Sequence, residues 1–187
     1  MSKCIIIGNG STLLNTKNGE KIDMFDTVVR FNSYDIDHFK EYVGTKTDIW
    51  FNVINFANKI NQWRMYKPYR YIYLHSWDWN PTTDKLYIEF INFYKNIPIV
   101  IYKTNRLIIK EMMEYIENPY YEYYSTGAIA IWLMLKQFDH VTITGFDWWS
   151  NTKHHYNDNA VRGTLHNPLI EKTLIDKLIS KNIISIL

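Results

Sequence analysis

Short apolar runs alternate along the chain with stretches in which apolar residues recur every three or four positions. The first pattern is typical of buried strands and the second of amphipathic helices. The predicted strands are Lys3–Ile7, Met24–Asn32, Thr47–Val53, Tyr69–His75, Ile97–Lys103, a run from His140 that stops at Gly145, and Ile183–Leu187. The predicted helices are Phe56–Tyr66, Asp84–Tyr94, Leu107–Glu117, Ala128–Phe138 and one that begins at His166-Asn167-Pro168, with Asn167 as N-cap. This alternation predicts an α/β fold with a mostly parallel sheet.

Two small-residue turns interrupt this pattern at informative places. Ser125-Thr126-Gly127 opens an apolar helix, which is where α/β proteins present backbone N–H groups to a phosphate. Gly8-Asn9-Gly10 ends the first strand, and Asn9 offers both a donor and an acceptor there. A dinucleotide fingerprint would need a third glycine at the position of Leu13, so an NAD enzyme is disfavoured. A glycine turn required only for chain reversal is the alternative.

Composition narrows the class of protein. With 187 residues, 47% of them hydrophobic, the chain predicts a single domain over residues 1–187. The formal charge of +2 argues against a nucleic-acid partner. Cys4, the only cysteine, excludes an intramolecular disulfide, favours a reducing compartment and, among isoleucines, predicts a buried thiol. No apolar run is long enough to span a bilayer, so we expect a cytoplasmic protein, or one peripheral to a membrane.

Acidic and histidine residues supply the candidate chemistry. Asp35-Ile36-Asp37 matches the Asp-x-Asp pattern of metal-dependent sugar transferases, although a solvated loop explains it more simply. His154-His155-Tyr156 and His166 lie close together without zinc-site spacing, which favours acid/base or anion chemistry. His166 precedes a helix N-terminus, whose positive end keeps an imidazole neutral, as a general base must be. Glu171 lies in the first turn of that helix. An alternative interpretation is that it is a surface residue whose charge complements the helix dipole.

These motifs together resemble one enzyme family. In order, they are Cys4-Ile5-Ile6-Ile7-Gly8-Asn9-Gly10 with Gly19-Glu20-Lys21-Ile22-Asp23, Asp26-Thr27-Val28-Val29-Arg30-Phe31-Asn32 and Val43-Gly44-Thr45-Lys46-Thr47; Tyr124-Ser125-Thr126-Gly127 through Gly145-Phe146; His154-His155-Tyr156; and His166 with Glu171. In order and spacing they resemble the long, short, third and very short sialyl motifs of glycosyltransferase family 29, the sialyltransferases. The stretch between Ile54 and Tyr123 carries none of them.

The resemblance implies a Rossmann-like, variant GT-A fold and transfer of sialic acid, or a related sugar, from a CMP-activated donor to a glycan or glycolipid hydroxyl. Inversion at the anomeric carbon is implied, with no metal and no cofactor beyond the CMP-sugar. It implies that nucleotide contacts come from Asn9, Gly10, Ser11, Asn32, Ser125, Thr126, Gly127, Gly145, Phe146 and Tyr156. His155 would bind the leaving phosphate, His166 would be the base, and Glu171 would be structural or would orient its helix.

The chain departs from that family in two respects. Phe138 stands where the family's short motif usually has the cysteine that pairs with the one in the long motif, here Cys4. The chain is also compact beside the animal members, which suggests a bacterial or viral origin. Three alternatives stay open: a CMP- or glycan-binding protein without transfer activity, a bacterial sialyltransferase of the family 42 type, and a metal-dependent transferase that uses Asp35 and Asp37.

Overall fold

A seven-stranded sheet forms the centre of the computed structural model, which describes residues 2–54, 69–120, 123–148, 155–157 and 166–187. Its strands are β1 (Cys4–Ile7), β2 (Thr27–Phe31), β3 (Ile49–Val53), β4 (Tyr71–His75), β5 (Val100–Lys103), β6 (Val141–Thr144) and β7 (Ile184–Ile186). They lie in the order β5-β4-β3-β2-β1-β6-β7, and each neighbouring pair is parallel. The predicted α/β fold with a parallel sheet is confirmed.

Helices connect these strands. They are α1 (Gly19–Asp23), α2 (Lys40–Val43), α3 (Pro81–Tyr94), α4 (Leu107–Tyr115), α5 (Thr126–Met134) and α6 (Pro168–Ser180), with a 3₁₀ helix at Ser11–Asn15. The 3₁₀ helix, α1 and α2 were not predicted, because such short helices show no full hydrophobic period. The predicted helix Phe56–Tyr66 lies outside the described residues. No helix within the described ranges has the length and apolarity needed to cross a membrane.

The sheet is buried on both faces. Consecutive residues of β1 point to opposite sides, so Ile5 and Ile7 join one apolar cluster while Ile6 joins the other. Helices α4, α5 and α6 cover the Ile6 face, and α1, α2 and α3 cover the opposite face. Helix α5 is buried along nearly its whole length, which explains why its sequence is apolar without an amphipathic period.

Cys4 lies in this core, as its sequence neighbours predicted. It is 1% exposed, and burial, with a smaller contribution from the negative charge of Asp48, raises the pKa of its thiol to about 12. Phe138 packs against the same apolar cluster. An aromatic side chain therefore contributes to the core at the position where the family resemblance implied a cysteine.

The carboxyl ends of β1 and β6 form the topological switch point of the sheet. From β1 the chain builds outward to β5, and it then returns to place β6 on the other side of β1. The amide of Gly8 donates to the Thr144 carbonyl at 2.7 Å, and that of Gly10 donates to the Gly145 carbonyl at 2.9 Å. A Cβ on Gly8 would lie 2.2 Å from the Gly145 carbonyl oxygen. The glycine turn thus serves close packing of two strand ends and not chain reversal alone.

Candidate functional site

A cleft opens at the switch point, where open α/β sheets bind their ligands. Its lining residues are Asn9, Gly10, Phe31, Asn32, Val53, Trp77, Ser125, Thr126, Gly127, Gly145, Phe146, Asp147, Trp148, His155, His166 and Glu171. All of the predicted site residues except Ser11 and Tyr156 are among them. The structure therefore gathers residues from both ends of the sequence into one place.

Ser11 and Tyr156 do not belong to the cleft lining but are bonded to residues that do. The Ser11 amide donates to Oδ2 of Asp147 at 3.2 Å. Tyr156 is buried, its amide donates to the Asn9 carbonyl at 2.8 Å, and its hydroxyl lies 2.9 Å from both the amide and the carbonyl of Asp35. Each is bonded to a lining residue, Ser11 to the Asp147 side chain and Tyr156 to the Asn9 backbone, and a direct nucleotide contact from either stays a prediction.

Asn9 is oriented by the end of β2. Its side-chain nitrogen donates to the carbonyls of Phe31 at 3.2 Å and Ser33 at 3.1 Å. An amide nitrogen has two hydrogens, so these bonds use its donor capacity and make Oδ1 the polar atom that can accept from a ligand. Asn9 is consequently arranged to recognise a donor group, such as a hydroxyl or an exocyclic amine.

Each polar atom of Asn32 takes part in a hydrogen bond. Its amide donates to the Phe51 carbonyl at 2.8 Å, its carbonyl accepts from Nε1 of Trp50 at 2.9 Å, and its Oδ1 accepts from the Val53 amide at 3.1 Å. Its Nδ2 lies 3.4 Å from the hydroxyl of Thr126. The backbone φ of 51° is one that asparagine tolerates better than most residues. Asn32 thus ties β2 and β3 to the start of α5.

Ser125 and Glu171 form the base of the cleft. The Ser125 side chain caps α5 by accepting from the Ala128 amide at 3.2 Å. Glu171 Oε1 accepts from the Ser125 amide at 2.7 Å, and Oε2 accepts from the Ser125 hydroxyl at 2.6 Å. Glu171 is 1% exposed, so the surface interpretation of this residue is wrong. The carboxylate instead fixes the turn that carries the helix N-terminus.

Aromatic rings close one side of the cleft. The Phe146 ring lies 5.9 Å from that of Phe31 and stacks on Trp148 at 5.7 Å. A Cβ on Gly127 would lie 2.8 Å from Phe146 and 2.9 Å from Phe31. Only glycine lets these rings approach the first turn of α5, whose leading N–H groups have no intrahelical acceptors.

His166 is fixed as one tautomer. Its Nδ1 lies 2.7 Å from the Tyr123 carbonyl, which can only accept, so Nδ1 carries the hydrogen and the neutral ring has its lone pair on Nε2. Burial lowers the pKa of His166, and the bond to Tyr123 opposes that effect only in part. The imidazole is therefore neutral near pH 7, as predicted, and burial is the largest cause of its lowered pKa.

His155 lines the same cleft as His166. The segment 155–157 is anchored there through the bond between the Tyr156 amide and Asn9. His154, the other histidine of this motif, lies outside the described residues. The cleft thus contains two imidazoles that approach it from separate parts of the sequence.

The Asp35–Asp37 motif lies outside the cleft lining. Asp35 accepts from the backbone amide of His38 at 3.1 Å and contacts Nδ1 of the same residue at 2.7 Å. Within the ranges that the structure describes, no group of three or more His, Cys, Asp or Glu side chains is arranged to hold a metal ion.

The sequence-based interpretation missed several lining residues, above all Trp77, Asp147 and Trp148. Asp147 and Trp148 follow β6 after Gly145 and Phe146, and Trp77 follows β4 after Ser76. The rule that ligands bind beyond the carboxyl ends of parallel strands would have indicated all three.

A parallel sheet with a cleft at its switch point is typical of α/β proteins that bind ligands beyond the carboxyl ends of their strands. Comparison with known proteins makes the class specific: the chain belongs to glycosyltransferase family 29 (sialyltransferase), whose family model matches residues 1–183. The resemblance carried by the sequence motifs is confirmed.

Among its relatives, the chain is 24% identical over 219 residues to the lactosylceramide alpha-2,3-sialyltransferase of Rattus norvegicus, covering 97% of this chain and 55% of that protein. It is 24% identical over 183 residues to a beta-1,6-galactosyltransferase of Arabidopsis thaliana, covering 83% and 45% respectively. The crystal structure of a mammalian sialyltransferase in complex with Gal-beta-1-3GalNAc-ortho-nitrophenol shares the fold, with a TM-score of 0.73, 22% identity and coverage of 100% of this chain and 69% of that one. The chain spans about half the length of the curated relatives it matches.

Proposed function

We propose that the protein transfers sialic acid, or a related sugar, from a CMP-activated donor to a glycan or glycolipid hydroxyl, with inversion and without a metal ion. One observation carries the proposal: His155 and His166 line the same cleft as Asn9, Asn32 and the N-terminus of α5. A leaving-group site and a base are the two functions that such a displacement requires.

The nucleotide would bind on the side of the cleft formed by α5 and β6. The N–H groups of Thr126 and Gly127 suit the phosphate, because they begin a helix and have no intrahelical acceptors. Oδ1 of Asn9 suits a donor group of the base or the ribose. The Phe146 and Trp148 rings offer apolar faces against which a pyrimidine or a ribose can pack.

His166 would act as the general base. The acceptor hydroxyl attacks the anomeric carbon while its proton passes to Nε2 of His166, and the bond from that carbon to the phosphate oxygen breaks with both electrons going to CMP. The His155 imidazole and the start of α5 would stabilise the departing phosphate. Attack from the face opposite the leaving group inverts the anomeric configuration.

The decisive test is mass-spectrometric detection of CMP release and sialylated product from CMP-sialic acid with lactose and glycolipid acceptors. His166→Ala should lower the rate by about 10²- to 10⁴-fold, the usual contribution of a general base. His140→Ala is the matched control, because His140 is exposed and bonds to Asn182 and Ser185 beside β7. Equal rates for His166→Ala and His140→Ala would reject the base assignment.

Two further measurements test the donor and the metal. Calorimetry should detect binding of CMP in preference to UDP, and binding of UDP without CMP would overturn the proposed donor. Activity should be unchanged by EDTA, whereas a loss that Mg²⁺ restores would favour the metal-dependent alternative through Asp35 and Asp37. CMP binding without turnover on any acceptor would identify a binding protein that lacks transfer activity.

A further inference from the structure

Trp77 follows the end of β4 and lines the cleft, in the part of the chain that carries no sialyl motif. Its indole nitrogen Nε1 donates to the Tyr124 carbonyl at 2.9 Å. The centroid of its ring lies 5.6 Å from that of His166, with an angle of 46° between the ring planes. Trp77 thus contacts the cleft histidine directly and is itself fixed by a backbone bond.

The same backbone segment holds both rings. The Tyr123 carbonyl accepts from His166, and the Tyr124 carbonyl accepts from Trp77. The next residue, Ser125, is held by Glu171 through its amide and its hydroxyl. Residues 123–125 therefore set the positions of the imidazole, the indole and the start of α5 together.

A second histidine supports Trp77 from behind. His75 is 3% exposed, its Nδ1 lies 3.3 Å from the Thr104 hydroxyl, and its ring meets that of Trp77 edge to face at 5.4 Å. Burial, together with a smaller effect of His166, lowers the pKa of His75 to about 3. His75 is therefore an uncharged support at neutral pH and does not compete for the proton.

We propose that Trp77 is the positioning residue for His166: it fixes the plane of the imidazole and keeps water from that side of the ring. This inference rests on the proposed function, because that function makes the His166 imidazole the general base. It differs from a sugar-stacking role, in which the indole face would bind the acceptor itself.

The surroundings of His166 bear on how its protonation depends on pH. His75 lies beyond Trp77, His155 and Asp147 line the same cleft, and Glu171 follows on α6. Removal of the indole would admit water, so the pKa of His166, which burial lowers, would rise toward its ordinary value. A base is active when neutral, so the acid limb of the rate profile would move to higher pH.

The test compares Trp77→Phe, Trp77→Ala and the control Trp132→Phe. Trp132 is a matched indole on α5 that donates to Glu111 at 3.1 Å, packs against Tyr115 and does not belong to the cleft lining described above. Each variant is assayed for kcat and KM from pH 5 to pH 8, and His166 is titrated by NMR through its ring Cε1–H signal.

We expect Trp77→Ala to lower kcat about 10- to 100-fold, as misplacement of a reacting group by about 1 Å does. KM should change little, and the acid limb and the NMR pKa of His166 should both move upward. Trp77→Phe retains a ring without the bond to Tyr124, so it should fall between Trp77→Ala and wild type, while Trp132→Phe should match wild type.

A rise in KM with unchanged kcat and an unmoved pKa would overturn the inference in favour of a sugar-stacking role. An unchanged kcat and pKa in Trp77→Ala would overturn it outright. If wild type itself has no transfer activity, the proposed function fails, and the NMR titration still decides whether Trp77 controls the environment of His166.

Discussion

The two hydrogen bonds from Ser125 to Glu171 allow a direct test of what holds the turn at the cleft. Glu171 is 1% exposed, and its two oxygens accept from the Ser125 amide and hydroxyl at 2.7 and 2.6 Å. A hydrogen bond to a charged group contributes about 1.5–3 kcal/mol, so Glu171→Ala should destabilise the protein by about 3–6 kcal/mol. That is a large share of the total of about 5–15 kcal/mol that is typical of folded proteins.

Glu171→Gln should be milder, at about 1–3 kcal/mol, because the amide keeps the shape and one acceptor oxygen. Urea denaturation followed by circular dichroism measures the free energy of unfolding, and calorimetry measures CMP affinity. The affinity should also fall, because Ser125 begins the helix turn that lines the cleft.

Glu114→Ala is the matched control for this experiment. Its side chain is 66% exposed and lies 3.8 Å from Lys110, so its removal should change stability by less than about 0.5 kcal/mol. If Glu171→Ala unfolded at the same urea concentration as Glu114→Ala and bound CMP as wild type does, the carboxylate would not hold the turn and the reasoning would be refuted.

Three other changes probe separate parts of the structure. Asn32→Gly should weaken CMP binding by about 1–3 kcal/mol in calorimetry, and glycine is chosen because it tolerates the positive φ at this position. An unchanged affinity would show that Asn32 does not contribute to the site. Gly127→Ala should lower the melting temperature by forcing Phe31 and Phe146 apart, at a cost of about 1–3 kcal/mol, and an unaltered melting temperature would contradict the close packing. Burial lowers the pKa of His75 to about 3, so as the pH falls this imidazole is protonated in the unfolded chain before it is protonated in the folded one. The free energy of unfolding should therefore decrease between pH 6.5 and pH 3, by up to about 1.4 kcal/mol per pH unit. His75→Gln should remove that contribution from urea titrations at successive pH values, and an identical pH dependence would disprove it.

Much of the fold could be predicted because each buried strand is a short apolar run. The sequence around Ile5 to Ile7 predicts β1, and Asn167-Pro168 correctly marks the start of α6. Helix α5 begins at Thr126, before the predicted start at Ala128, because Ser125 and not a later residue caps it. The hydrophobic periodicity depends on apolar side chains, whereas the helix cap depends on the hydroxyl of Ser125.

The surface interpretation of Glu171 failed for a different reason. A glutamate in the first turn of a helix is commonly exposed and complements the helix dipole. Here its partner is Ser125, a residue distant in sequence, and only the packing of α6 beside α5 brings the two together. Burial that depends on tertiary contacts leaves no mark in local sequence.

The cleft, too, contains some features that local sequence reveals and others that depend on tertiary contacts. A Cβ added to Gly8 or Gly127 would lie less than 3 Å from neighbouring backbone or ring atoms, so only glycine fits there and the requirement is visible as a sequence motif. Trp77 is placed by a bond from its side chain to a main-chain carbonyl, and any chain segment can offer a carbonyl. Its place after β4 could be predicted, but its bond to Tyr124 and its contact with His166 become apparent only in the folded structure. The same reasoning implies that the side of the cleft built on glycines and caps tolerates less substitution than the wall around Trp77.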